Sequence, residues 1–525
     1  MKYFLWGMVA ASSVYLPVWA QQTVSATRCD EMTAVVLEHA KVVEAAPAVE
    51  ADLEALKVRD VASLPAFCRV RIVDTPSEDS EIHTEVWLPM TAWNGKLRAQ
   101  GNGGFAGTIY YDAMGETIRQ RYATVGTDTG HTGGKPEFAL GHPEKVKDFG
   151  WRAVHDMTVE AKTLIEAFYG KPQQKAYFTS CSDGGREALM EAQRFPADYD
   201  GILAGAPAYN WTGLMVGAAE NTKWMRADAA NFLPAAKVPA LGAAVNAACD
   251  AKDGVKDGII NDPRACHFDP AVIQCKAGDG ERCLLPAQIE TVRKIYRGPV
   301  DDAGKVVLKG LESGAEDGKE GWAQWISGDK PGSNMPFFGE GFYANFVYSK
   351  PEWSASEFDF DRDYKLALEK TAADLDAKDV DLAPFVARGN KLVMYHGWND
   401  PAIPATMSID YYEGVVKKVG EEKAEDAVRL YLVPGMQHCA FGPGATEFGQ
   451  GMGQRSDAKH DIFTALEQWV EKGTAPDVLT AEKSEGKGAE RKVVMTRPLC
   501  PYPQVAKYNG KGNSNKAESF TCVMK

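Results

Sequence analysis

Ser182 and His438 are the two residues whose types and neighbours most directly suggest chemistry. Ser182 is a candidate nucleophile that follows Cys181, and His438 is a candidate base that precedes Cys439. A disulfide between the two cysteines would hold the serine hydroxyl and the imidazole together, although they lie far apart in the chain. A serine activated by a histidine is the arrangement that an ester hydrolase needs.

The sequence around Ser182 predicts the sharp turn on which such a serine is exposed. Residues 175–180 predict a strand, and Gly184 and Gly185 open a predicted helix. Small residues beside the serine permit this turn between strand and helix. The usual motif has glycine two residues before the serine, where this chain has Ser180. The motif alone therefore fits an ordinary strand-to-helix turn as well.

Two predicted strands, at 391–395 and 429–433, end close to polar residues that would complete a catalytic relay. The first strand is followed by Asp400 and the second by His438. The chain order serine, aspartate, histidine is that of α/β-hydrolases. Asp400 would orient the imidazole, and His438 would take the Ser182 proton and return one to the leaving alcohol.

Two other residues are weaker candidates for the same roles. His396 precedes a glycine at a strand end, which favours a structural or pocket position over that of the base. Asp410 lies inside a predicted helix, whereas the catalytic acid of this arrangement follows a strand.

A glycine-rich loop at 100–107 is the candidate oxyanion hole. The backbone N–H groups of Gly104 and of Asp183, just after the nucleophile, would point at the developing negative charge. A phosphate-binding loop is the alternative. It is disfavoured because the spacing matches neither the Walker nor the dinucleotide pattern and no basic residue accompanies it.

The segment 250–259 predicts a calcium loop. Asp250, Asp253 and Asp257 lie close together, and a glycine follows each of the last two; carboxylate and carbonyl oxygens are the ligands that calcium prefers. The spacing is not that of an EF-hand, so a solvated acidic turn remains the alternative. Cys249 and Cys266 bracket the loop and could fix it in place.

Strand-like runs alternate with amphipathic helices from Glu85 onward, which indicates an α/β sheet. After about Asn210 this pattern stops, and it resumes at Lys391. The prediction is an α/β-hydrolase fold with a large inserted lid domain. Its segments are a signal peptide at 1–20, the first part of the catalytic domain at 21–209, the lid with the calcium loop at 210–385, and the second part of the catalytic domain at 386–525.

Composition and the N-terminus indicate a secreted or periplasmic protein. The net charge of −14 disfavours nucleic acid and anionic membrane as partners. Lys2, a short apolar stretch and the small-x-small site Val18-Trp19-Ala20 are typical of a signal peptide. The alternative, a membrane anchor, needs about 20 apolar residues, more than this short stretch provides. No membrane contact is therefore expected after cleavage. The ten cysteines suit an oxidising compartment.

From about Cys29 to Cys522 the chain resembles the tannase and feruloyl esterase family of α/β-hydrolases. The most specific part is the Cys-Ser…Asp…His-Cys pattern described above. The resemblance implies a disulfide between Cys181 and Cys439. It also implies a structural Ca²⁺ held by Asp250, Asp253, Val255, Asp257 and Ile259, the valine and isoleucine through their carbonyl oxygens. The other implied disulfides are Cys29–Cys68, Cys249–Cys266, Cys275–Cys283 and Cys500–Cys522.

Members of that family cleave gallate esters, ferulate and related cinnamate esters, or mono(2-hydroxyethyl) terephthalate. The resemblance therefore implies a secreted serine esterase that acts on small aromatic esters of gallate or ferulate type. A terephthalate monoester hydrolase is the alternative within the class, and a non-catalytic calcium-stabilised protein that binds phenolics or carbohydrate is the alternative outside it. Six aromatic residues of the lid could line an acyl pocket, although lid core is the simpler reading for most of them: Trp322, Trp325, Phe337, Phe338, Phe342 and Tyr343.

Overall fold

The computed structural model describes residues 26–301, 303–327, 334–450, 457–486 and 488–525. The predicted signal peptide, at 1–20, lies outside the described residues. The described part has α/β architecture with one large sheet, as predicted.

The central sheet contains nine strands within the described residues. Along the chain they are β1 (Ala40–Pro47), β2 (Phe67–Asp74), β3 (Ile82–Pro89), β4 (Lys96–Gln100), β5 (Ala123–Thr127), β6 (Lys175–Cys181), β7 (Gly201–Gly205), β8 (Lys391–Gly397) and β9 (Val428–Val433). The spatial order is β1-β2-β3-β5-β4-β6-β7-β8-β9. In this spatial order, the neighbours from β1 to β5 pair antiparallel, and the neighbours from β5 through β4 to β9 pair parallel. The carboxyl ends of the parallel strands therefore share one edge, where the catalytic candidates follow β6, β8 and β9.

The α-helices of the described residues, in chain order, are α1 (Ala26–Asp30), α2 (Glu50–Ala55), α3 (Tyr111–Arg119), α4 (Pro143–Lys147), α5 (Ala153–Tyr169), α6 (Asp183–Arg194), α7 (Trp211–Ala227), α8 (Val238–Cys249), α9 (Pro286–Arg297), α10 (Asn334–Phe342), α11 (Phe360–Leu375), α12 (Ala383–Ala387), α13 (Ala405–Val419), α14 (Glu421–Glu425) and α15 (Ile462–Lys472). Neighbouring parallel strands run in the same direction, so a tight turn cannot join them. Helices therefore connect them and cover the sheet.

Helices cover both faces of the sheet. On one face, α5, α6 and α13 pack their apolar sides against the strands in a single core. The predicted stripe on α5, which includes Val154, Met157 and Leu164, is buried there. Gly170 ends this helix in the left-handed conformation, with its N–H bonded to the carbonyl of Glu166. On the other face, α15 packs against a second core.

The segment between β7 and β8 adds no strand to the central sheet among its described residues. Its described α-helices are α7 to α12. Side chains of α8 and α9 make one cluster within the segment, whereas those of α7, α10 and α11 pack with Phe105 and Phe149, from outside it, in another. By length and composition alone, Ala229–Asp253 could cross a membrane. Its α-helical part, α8, has 12 residues and buries Val238, Leu241 and Val245 in one of these clusters, which is the arrangement of a core helix.

Two hairpins follow the last helix, and the sequence did not predict them. They pair β10 (Leu479–Glu485) with β11 (Lys492–Leu499) and β12 (Gln504–Tyr508) with β13 (Phe520–Met524). Five disulfides join the ten cysteines in the predicted pairs, including Cys181–Cys439.

Candidate active site

Ser182 occupies the sharp turn between β6 and α6. Its backbone has φ 68° and ψ −124°, a conformation that side chains rarely adopt and that is typical of an exposed nucleophile. Glycine is required two residues later. A Cβ at Gly184 would lie 1.8 Å from the Ser180 hydroxyl oxygen and 2.5 Å from the Asn102 carbonyl oxygen.

The predicted serine, histidine and aspartate form a continuous hydrogen-bonded relay. His438 Nε2 lies 2.8 Å from Ser182 Oγ, and His438 Nδ1 lies 2.8 Å from Asp400 Oδ2. Asp400 is buried at the end of β8, and only 11% of the His438 side chain is exposed. These are the distances at which a general base can take the serine proton while a carboxylate orients its ring.

Two histidines keep Asp400 ionised: His396, near the end of β8, and His438, which follows β9. Burial alone would raise its pKa, but the charge of His438 and the hydrogen bonds from His396 and His438 keep this pKa well below its ordinary value. His396 is fully buried, with Nδ1 2.7 Å from Ser408 Oγ and Nε2 3.3 Å from Asp400. It therefore supports the acid and does not contact the nucleophile.

The Cys181–Cys439 disulfide directly joins the two segments that carry the nucleophile and the base. Its Cα atoms are 6.1 Å apart, and 258 positions separate the two cysteines in the chain. Because each cysteine is the immediate neighbour of a relay residue, the bridge limits how far Ser182 and His438 can separate.

Gly104 and Asp183, the two predicted oxyanion donors, have backbone N–H groups with no hydrogen-bond acceptor among the described residues. Asn102 connects the two segments: its carbonyl accepts from Gly184 N–H at 3.0 Å and from the Ser180 hydroxyl at 3.3 Å. Ser180, the departure from the usual motif, thus ties the oxyanion loop to the turn of the nucleophile.

A cavity of about 920 Å³, counting its open mouth, lies beside Ser182 and Gly104. Of the six lid aromatics, Trp325 and Phe338 line it, and Phe337 is 38% exposed. The other three, Trp322, Phe342 and Tyr343, are buried in the lid cores. The sequence missed most of the wall, which includes Trp211, Leu214, Met215, Ile295, Leu308 and Met407.

The wall of this cavity is predominantly apolar. Among its described residues the one charged side chain is Lys309, whose Nζ lies 3.3 Å from Asp410 Oδ2. Asp410 thus belongs to a half-exposed ion pair on α13. A bound carboxylate would find Lys309 as the one cation among the described wall residues.

The acidic loop at 250–259 has the donors that calcium requires. Asp250 Oδ1 accepts from the N–H groups of Asp257 and Gly258 at 3.1 and 3.0 Å. Burial and the nearby charges of Asp257 and Asp250 raise the pKa of Asp253 to about 6. The guanidinium of Arg497 pairs with Asp257, whereas Asp250 and Asp253 form no ion pair with a cation among the described residues.

The two carbonyl donors predicted from the resemblance are also available. Within the described residues, the carbonyl oxygens of Val255 and Ile259 accept no hydrogen bond, while their N–H groups bond to Asp253 and Asp257. The residues present therefore fit a divalent, oxygen-liganded cation.

Comparisons with known proteins match the same family over most of the chain. Residues 68–523 match the family model described as tannase and feruloyl esterase. An uncharacterised esterase of Xanthomonas campestris pv. campestris is 39% identical over 495 residues, which cover 88% of this chain and 85% of the relative. A probable feruloyl esterase B-2 of Aspergillus terreus is 33% identical over 476 residues, 87% and 86% of the two chains.

Solved structures show the same fold. Feruloyl esterase B from Aspergillus oryzae is similar with a TM-score of 0.85 and 28% identity, over 95% of this chain and all of that chain. Tannin acyl hydrolase from Aspergillus niger is similar in fold, with a TM-score of 0.75 and 22% identity over 96% and 97% of the two chains.

Proposed function

Because the chain belongs to the tannase and feruloyl esterase family, we propose that it is a secreted serine esterase that cleaves aromatic carboxylic esters through an acyl-enzyme on Ser182. That it is a carboxylic ester hydrolase follows from its relatives, which are named esterases. One observation carries the serine mechanism: the 2.8 Å contacts from Ser182 to His438 and from His438 to Asp400, beside an apolar cavity.

In the proposed mechanism, His438 Nε2 removes the Ser182 proton as Oγ attacks the ester carbonyl carbon. The negative charge then forms on the carbonyl oxygen, and the N–H groups of Gly104 and Asp183 stabilise it. His438 gives the proton to the departing alcohol, which leaves the acyl group on Ser182. A water molecule, deprotonated by His438, then attacks the acyl carbon. The intermediate collapses to release the acid, and His438 returns the proton to Ser182, while Asp400 stabilises the imidazolium throughout.

The acyl group is proposed to be of gallate or ferulate type. The apolar wall beside Ser182 supports an aromatic acyl group that carries no charge at the end remote from the ester bond. A terephthalate monoester carries a free carboxylate there, and Lys309, the one cation among the described wall residues, is already paired with Asp410.

A substrate panel tests this choice. We expect kcat/KM for methyl ferulate or methyl gallate to exceed that for mono(2-hydroxyethyl) terephthalate by at least about tenfold, the cost of one poorly solvated polar group. The three esters are compared at equal enzyme concentration, with Ser182→Ala as the blank. A preference for the terephthalate monoester would overturn the proposed acyl group and leave the serine mechanism standing.

We further propose that the loop at 250–259 binds a structural Ca²⁺ through Asp250, Asp253, Val255, Asp257 and Ile259. Bound calcium would pair with the carboxylates of Asp250 and Asp253 and stabilise the folded state by mass action. Because the loop belongs to the lid and not to the relay, a chelator should lower Tm by several degrees while the initial rate at low temperature changes little.

The control for this prediction is Asp253→Asn, which should have a lowered Tm that no longer responds to the chelator. Added Ca²⁺, but not equimolar Mg²⁺, should restore the Tm of the wild type. A loss of initial rate at unchanged Tm would contradict a structural role for the ion.

The proposed compartment is the periplasm or the exterior. Five disulfides among the described residues support it, because such bonds persist in oxidising compartments.

A further inference from the structure

Glu187 is a buried carboxyl group that the proposed mechanism does not use. It lies on α6, one turn after Asp183, and is 1% exposed. Its Oε2 accepts the N–H of Asn102 at 2.8 Å, and a Cβ at Gly101 would lie only 2.5 Å from the same oxygen. The carboxyl group therefore lies directly behind the loop that carries the Gly104 oxyanion donor.

Asn102 transmits this contact to both halves of the oxyanion hole. Its carbonyl accepts from Gly184, the residue after the second donor, and its side-chain amide donates to the Thr127 carbonyl at 3.2 Å. A change at Glu187 therefore acts on Asn102 first and through it on the spacing of the donors of Gly104 and Asp183.

The charges around Glu187 do not balance if it is ionised. Arg186, fully buried, donates to Asp183 Oδ1 at 2.6 Å and to the carbonyls of Gly150 and Phe149. One guanidinium thus faces two buried carboxyl groups, and it pairs with Asp183. Oε1 of Glu187 has no hydrogen-bond partner among the described residues.

Other titratable groups near Glu187 also disfavour its charge. Glu191, on the same helix, is fully buried and its pKa is raised well above its ordinary value. Tyr110, before α3, and Tyr199, before β7, are neutral side chains whose pKa values are raised by burial and by the charge of nearby carboxyls. Burial, with the charge of Asp183, raises the pKa of Glu187 to about 8.

We infer that Glu187 is a positioning residue of the oxyanion hole and that it must be protonated for the esterase to turn over. As a neutral acid it accepts the Asn102 N–H and holds the loop. Once ionised, it places an uncompensated negative charge behind the two N–H donors, where it opposes the oxyanion that they stabilise. This inference rests on the proposed serine esterase function and adds a pH limit to it.

The pH dependence of kcat tests the inference. The wild type should lose kcat as the pH rises through about 8, because the protonated fraction of Glu187 falls there. Glu187→Gln, an uncharged isostere, should keep kcat within about threefold at neutral pH and lose this alkaline decline. Glu187→Ala should lower kcat at least tenfold with a smaller change in KM, since it removes the support of Asn102.

Glu191→Gln is the matched control, because it replaces another buried carboxyl of α6, one with no hydrogen bond to the oxyanion loop among the described residues; it should keep the alkaline decline. Spontaneous hydrolysis is subtracted with Ser182→Ala. The inference is overturned if Glu187→Gln retains the wild-type decline, or if it loses kcat at neutral pH as severely as Glu187→Ala. Neither result would affect the assignment of Ser182, which is tested separately by its own replacement.

A second measurement covers the case in which Glu187→Gln does not fold. In a background carrying both Glu160→Gln and Glu191→Gln, which removes the two other glutamates whose pKa is raised well above its ordinary value, the infrared carbonyl band of protonated carboxylic acids should lose intensity as the pH passes about 8, in step with kcat, and this loss should be missing from Glu187→Ala. A kcat decline without loss of this band would refute the role of Glu187.

Discussion

Replacing Ser182 by alanine should reduce kcat/KM for the preferred ester by roughly 10⁴-fold or more while the protein remains folded. The variant keeps the cavity and the free N–H groups of Gly104 and Asp183, so it should still bind substrate but form no acyl-enzyme. The magnitude is that seen when the nucleophile of a serine relay is removed. The loss should be equal in order of magnitude for every ester that the wild type cleaves.

Matched measurements of folding separate a chemical loss from a structural one. Ser182→Ala should retain the wild-type Tm within a few degrees and the wild-type circular dichroism spectrum. Ser180→Ala, two residues earlier and on β6, is the control, since it removes one 3.3 Å hydrogen bond to Asn102 and should cost far less activity. Near-wild-type hydrolysis by folded Ser182→Ala would rule out this serine as the nucleophile.

Removing the Cys181–Cys439 disulfide should produce the second-largest effect, on stability and on kcat together. In the chain-entropy model, closing a loop of this length contributes roughly 5 kcal/mol. The pair Cys181→Ala and Cys439→Ala should therefore lower Tm by many degrees. It should also lower kcat about tenfold or more, because the bridge restricts the separation of Ser182 and His438.

Removing the Cys275–Cys283 disulfide provides the control for that experiment. It closes a loop of 8 positions in the lid, for which the same model gives about 2.5 kcal/mol, and neither cysteine adjoins the relay. This control should lower Tm less and leave kcat unchanged. If the folded variant without Cys181–Cys439 kept wild-type kcat, the bridge would be a purely structural bond.

The sequence predicted the parts of the site that local pattern determines. Strands β6, β8 and β9 are short apolar runs, and parallel strands bring their carboxyl ends to one edge, so Ser182, Asp400 and His438 could be placed in advance. The disulfide pairs came from the resemblance, not from spacing.

The lid could not be predicted in the same way. Its packing depends on contacts between helices distant in the chain, so the sequence could not tell buried Tyr343 from Phe338, which lines the cavity. The support of Asp400 by His396 and of Asn102 by Glu187 likewise depends on tertiary contacts between different elements. A glutamate on an amphipathic helix gives no sign in the sequence that it will be buried without a cation.

The most direct test of the central claim is to label the enzyme with an aryl fluorophosphonate, whose phosphonyl group bonds to the oxygen of an activated serine as fluoride leaves. Activity should be lost completely when one label has been incorporated per chain. Peptide mapping by mass spectrometry should then place the adduct on Ser182. Ser182→Ala should remain unlabelled. Complete inactivation with the adduct on another residue, or complete labelling of Ser182 with activity retained, would contradict the proposed mechanism.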